Sequence, residues 1–130
     1  MRILFTGSRK LKVPASLVRS YFLELAREHG KFEVIVGDAG GTDAAIRSLA
    51  YEFEHPCRVF FADWDTHGRS AGPIRNQEMV DTHPNLCVAF PGGAGTANCT
   101  RLAKMAGIKI VDPIQKDRQG PLEDPEGEVA

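Results

Sequence analysis

Leu86-Cys87-Val88-Ala89-Phe90-Pro91-Gly92-Gly93-Ala94-Gly95-Thr96 decides how this chain folds. Its first five residues are apolar without alternation, the pattern of a strand buried on both faces of a parallel sheet. Glycines end the run, and a helical pattern follows to about Ala106. The same unit recurs on either side. Ile3-Leu4-Phe5 stops at Gly7, and from Pro14 the residues Leu17, Val18, Tyr21, Phe22, Leu25 and Ala26 keep helical spacing until Gly30. Phe32 to Val36 reads as the second strand, ending in Gly37-Asp38-Ala39-Gly40-Gly41, with a helix expected from about Thr42 to Glu54. Cys57 to Phe61 is the third strand, and Ala62 to Ala71 is expected as a polar loop holding Trp64. Pro73 suits the first turn of the next helix, and Ile108 to Val111 is the fifth strand. Strand–helix alternation with right-handed crossovers predicts an α/β fold, a doubly wound parallel sheet of about five strands with helices on both faces.

At 130 residues and 14.2 kDa the chain suits one domain, read as residues 1–111, followed by an acidic, Pro/Gly-rich tail over 112–130. No apolar run approaches the ~20 residues of a membrane helix, and the polar turn at Thr6 argues against a signal peptide. Cys57, Cys87 and Cys99 form no CxxC pair. That spacing disfavours a disulfide framework or zinc ribbon and predicts a reduced, cytoplasmic setting. Cys57 and Cys87, inside strands, read as small core residues. The net charge of −1 conceals a tail at −4 (two bases, six acids) and a body at +3. So small an excess disfavours nucleic acid as the partner and suits a small anion.

Rossmann-like sheets bind ligands beyond the carboxyl ends of their strands, where strand order reverses. Glycine collects at those ends: Gly7, Gly37, Gly40, Gly41, Gly92, Gly93 and Gly95 follow the first, second and fourth strands. Such loops bring backbone amides close to an anion, and a helix starting directly afterwards adds its dipole. Pro91 to Thr96 best meets both conditions, and Thr96 can cap the helix or offer its hydroxyl to a phosphate oxygen. Neither a GxGxxG fingerprint after the first strand nor a GxxxxGK[ST] loop is present, so hydride transfer and Walker-type hydrolysis lose support.

Thr6-Gly7-Ser8-Arg9, Gly37-Asp38-Ala39 with Gly41-Thr42-Asp43, Ala62-Asp63-Trp64, Ala71-Gly72-Pro73-Ile74-Arg75-Asn76 and Pro91 to Thr96 occur in this order. The set resembles the SLOG superfamily of Rossmann-like domains, most closely its YspA-like branch. That superfamily also holds the lonely-guy phosphoribohydrolases, molybdenum-cofactor carrier proteins and DNA-processing protein A. The resemblance implies recognition of a nucleotide or nucleotide-derived small molecule, and a homodimer or higher symmetric oligomer. The lonely-guy signature PGGxGTxxE is matched at Pro91, Gly92, Gly93, Gly95 and Thr96, with Arg75 in place of the family's helical arginine. Cys99 stands where the glutamate belongs. That substitution favours binding over hydrolysis of a nucleoside 5′-monophosphate, unless Asp38, Asp43 or Glu78 supplies a carboxylate.

The residues expected at the ligand are Gly7, Ser8, Arg9, Gly37, Asp38, Gly41, Thr42, Asp43, Trp64, Arg75, Asn76, Pro91, Gly92, Gly93, Gly95 and Thr96. Arg75 could clamp a phosphate, or pair with Glu78 or Asp81 at the surface. Asp43 could bind ribose hydroxyls or support a helix N-terminus, and Trp64 could stack on a base or lid the core. Asp63, Asp65 and His67 form too mixed a set for a metal site, so no metal and no cofactor are expected. No catalytic residue is assigned. A single-stranded nucleic-acid module is the remaining alternative, disfavoured by the sparse exposed aromatics.

Overall fold

The computed structural model describes residues 1–114; the expected tail beyond Ile114 lies outside them. Five strands, β1 (Arg2–Thr6), β2 (Glu33–Gly37), β3 (Cys57–Phe60), β4 (Leu86–Ala89) and β5 (Lys109–Val111), form one sheet in the order β3-β2-β1-β4-β5. Every pairing is parallel. This is the doubly wound arrangement, and strand order reverses between β1 and β4.

Alternation along each strand divides the core in two. Ile3, Phe5, Val34, Val36 and Val88 face α1 (Ala15–His29) and α2 (Thr42–Glu52), meeting Val18, Phe22, Leu25, Ile46 and Ala50. Leu4, Ile35 and Cys87 face the other way, against Met79 and Val80 of α4 (Ala71–Val80) and Cys99 and Ala103 of α5 (Ala94–Met105). One-residue offsets therefore give the three central strands, β2, β1 and β4, two buried sides. That is why the strands read as continuous apolar runs.

Two local expectations are corrected. The segment 62–71 is not an open loop: Asp63 accepts a hydrogen bond from the Thr66 amide at 3.2 Å and caps a short helix, α3 (Trp64–His67). A 3-10 turn over Gly68–Ser70 leads into α4, which begins at Ala71, two residues before Pro73. The Asp-x-x-Thr spacing was the available signal. Cys57 is exposed rather than in the core, because it begins β3, an edge strand of the sheet. Cys87 is buried as expected.

His55 lies inside the first core half, its ring 4.9 Å from that of Phe22 and 4.3 Å from that of Phe32. Its Nδ1 is 3.3 Å from both the amide nitrogen and the carbonyl oxygen of Phe32. Burial pushes its imidazole below the usual value, against the opposing effect of the Phe32 backbone. Because the native state resists protonation, this contribution is lost as pH falls through about 6.5. The stability advantage of wild type over His55→Leu, read from urea unfolding, should therefore shrink between about pH 7.5 and pH 5. A constant difference would contradict it.

Candidate functional site

At the carboxyl ends of β1 and β4 lies a cavity of about 520 Å³, within the size range of small-molecule sites. Of the residues expected there, Gly7, Ser8, Arg9, Asp43, Trp64, Arg75, Asn76, Gly93, Gly95 and Thr96 line it. Gly37, Asp38, Gly41, Thr42, Pro91 and Gly92 do not; they sit in the surrounding loops. Lys12, Arg69, Met79 and Asn98 also line the cavity and were missed. Lys12 and Arg69 lie outside the glycine clusters, and Asn98 and Met79 lie inside helices, so only the three-dimensional arrangement brings them in.

The glycine loops separate into two groups by their neighbours. A Cβ on Gly92 would fall 2.0 Å from the Thr96 hydroxyl and 3.0 Å from the Gly7 carbonyl carbon. Gly41 has φ +59°, and a Cβ there would meet the Ser8 carbonyl oxygen at 2.4 Å. The Ser8 oxygen accepts a hydrogen bond from the Thr42 amide at 3.0 Å. These glycines let the three loops stack on one another. Gly93 and Gly95 have open space beside them instead, so a ligand can approach their backbone.

Helix α5 starts at this open stretch with Gly93 as its cap, and no side chain caps it. Its first amides thus lack intrahelical partners. Thr96, in the first turn, does not cap the helix. Its Oγ1 is buried and has no hydrogen-bond partner among the described residues. An orphaned buried hydroxyl costs about 1–3 kcal/mol. A phosphate oxygen would satisfy it together with the uncapped amides.

Arg75 is less exposed than a surface arginine, its side chain at 11%, and its partner is neither Glu78 nor Asp81. Its Nη1 donates to Asp38 at 2.8 Å and its Nε to the side-chain Oδ1 of Asn76 at 3.1 Å. Asn76 in turn donates to the Gly95 carbonyl at 3.2 Å and to Asn98 at 3.0 Å. A polar chain therefore runs from the β2 loop through α4 to the α5 loop. Asp38 anchors it and also accepts from the Ala62 amide at 3.4 Å. Across the same cavity the Arg9 guanidinium lies 5.0 Å over the Trp64 ring, so the exposed indole carries a cation on its face.

Asp43 is buried beside this chain and accepts from the Ala39 amide at 3.3 Å. Burial pushes its carboxyl up to about 6, against the pull of Arg75, the Ala39 amide and Arg47. A carboxyl poised near neutrality can accept or hold a proton at a bound molecule. Cys99 is fully buried and lies outside the cavity lining. Its thiol pairs with that of Cys87, which draws Cys99 below and pushes Cys87 above the usual thiol value. Glu78 is exposed on α4 and also outside the lining. Among the described residues no cluster of three or more His, Cys, Asp or Glu could hold a metal ion. Nor is any helix there long and apolar enough to cross a membrane.

Gene 61 protein of Mycobacterium phage D29 is 36% identical to this chain over 118 residues, spanning 85% of the chain and 94% of the phage protein. The chain belongs to the Gene 61 protein family. No family model matches it, and no solved structure does.

Proposed function

We propose that this Gene 61 family member is a SLOG-type domain that binds a phosphate-bearing nucleotide or nucleotide-derived small molecule between the ends of β1 and β4. The buried, unpartnered Thr96 hydroxyl at the uncapped N-terminus of α5 carries this reading. Arg9, Lys12 and Arg69 on the cavity walls support it by complementing an anion.

Trp64 is the single tryptophan and lines the cavity, so its fluorescence reports occupancy directly. Titration with inorganic phosphate and the common nucleoside monophosphates should show saturable binding. Thr96→Val should weaken it by about 1.5–3 kcal/mol, the size of a hydrogen bond to a charged group, while leaving the unliganded protein at least as stable. Gly93→Asp places a carboxylate in the anion's space; its φ of −101° and open surroundings leave the fold unstrained. That change should cost at least about tenfold in affinity through like-charge repulsion. Unaltered affinity in both variants, or no binding by wild type, would refute the proposal.

Asp43 favours a second reading, hydrolysis of the N-glycosidic bond of a nucleoside 5′-monophosphate, because its raised carboxyl lines the cavity. Base release from the same panel separates cleavage from binding.

A further inference from the structure

Resting on that phosphate-site reading, the distribution of charge around the cavity narrows the class of ligand. Arg9 and Lys12, from the β1–α1 connection, and Arg69, from the turn before α4, line the cavity as well. None of the three has a carboxylate within ion-pair distance among the described residues. Arg75 differs, since Asp38 already neutralises it. Against these three cations, Asp43 is the one acidic side chain among the described residues that lines the cavity.

Position matters as much as number. The α5 amides and Thr96 follow β4, whereas Arg9 and Lys12 follow β1 and Arg69 follows β3, on the other side of β1 in the sheet. A single phosphate seated at Thr96 uses the α5 end and leaves the other walls uncompensated. Arg9 is moreover restrained by its stacking on Trp64, which keeps its charge at the cavity.

We propose that the cavity takes a nucleotide with at least two phosphate groups, one at the α5 N-terminus and another against Arg9, Lys12 and Arg69. The second group is either the β-phosphate of a 5′-diphosphate or the 3′-phosphate of a 3′,5′-bisphosphate; both offer the same anionic chemistry. Affinity for it depends on salt, because the three cations are exposed and screened.

Trp64 fluorescence titrations of the full chain test this with phosphate and pyrophosphate, and with adenosine, guanosine, cytidine and uridine as monophosphates, diphosphates and 3′,5′-bisphosphates. At about 50 mM salt the doubly phosphorylated forms should bind at least about tenfold more tightly than the monophosphate. The double variant Lys12→Gln with Arg69→Gln should reduce that preference to under about threefold, weakening the doubly phosphorylated forms far more than the monophosphate. Equal affinity for mono- and doubly phosphorylated forms overturns this inference while the phosphate-site reading stands. So does a double variant that weakens all forms alike. Failure of every compound to bind overturns both.

Discussion

Replacing Gly41 with valine is expected to cost at least about 3 kcal/mol of stability, enough to unfold a marginal domain. Two independent terms add. At φ +59° a β-branched residue adopts a backbone conformation that costs of order 1–3 kcal/mol. A Cβ would also meet the Ser8 carbonyl oxygen at 2.4 Å and the Arg9 carbonyl carbon at 2.5 Å. Those are backbone atoms and cannot rotate away. The same oxygen accepts the Thr42 amide at the start of α2, so moving the loop loosens that helix too. Urea unfolding measures the effect, and a loss below about 1 kcal/mol would show that the two loops relax freely. Gly93→Val provides the contrast, since its φ is negative and nothing lies within 4 Å of its Cβ position.

Asp43→Asn should act in the opposite direction and stabilise the protein by roughly 2–3 kcal/mol near pH 7.5. The native carboxyl titrates at about 6, some two units above the ordinary value of about 3.9, at roughly 1.4 kcal/mol per unit. Because the native state holds this proton more tightly than the unfolded chain, the contribution favours folding below about pH 4 and is lost as pH rises through about 6. Asparagine removes the charge and keeps an acceptor for the Ala39 amide. Its advantage should therefore be large at about pH 7.5 and vanish below about pH 4. A variant less stable than wild type at neutral pH would mean that the attraction between Asp43 and Arg75 outweighs desolvation. A stabilising substitution at a cavity residue is what a functional group kept at a cost to the fold predicts.

The element order was legible because it is local. Val34 to Val36 and Leu86 to Phe90 are unbroken apolar runs with glycine one or two residues beyond, and strand ends fell within a residue or two of their expected places. The short helix at Trp64 was missed because four residues carry no periodicity; only the Asp63 cap marks it. Cys57 was misread because a sequence does not show which strand lies at the edge.

At the site, sequence identified the loops but not the work of each residue within them. Glycine spacing marked Gly7, Gly37, Gly41, Gly92, Gly93 and Gly95 alike; only contacts between loops distinguish Gly41 and Gly92, which pack on backbone or on Thr96, from Gly93 and Gly95, which stay open. Arg75 illustrates the same limit, because its partner Asp38 lies 37 residues away rather than three or six along its own helix. Local apolar pattern and turn chemistry, summed over short windows, determined the parallel α/β fold and the edge of the sheet that carries the cavity. Tertiary structure alone decided which hydroxyl is left unpaired, which carboxyl is buried and which cations share one cavity. Those properties arise from burial and pairing between segments distant in sequence, which no local pattern encodes.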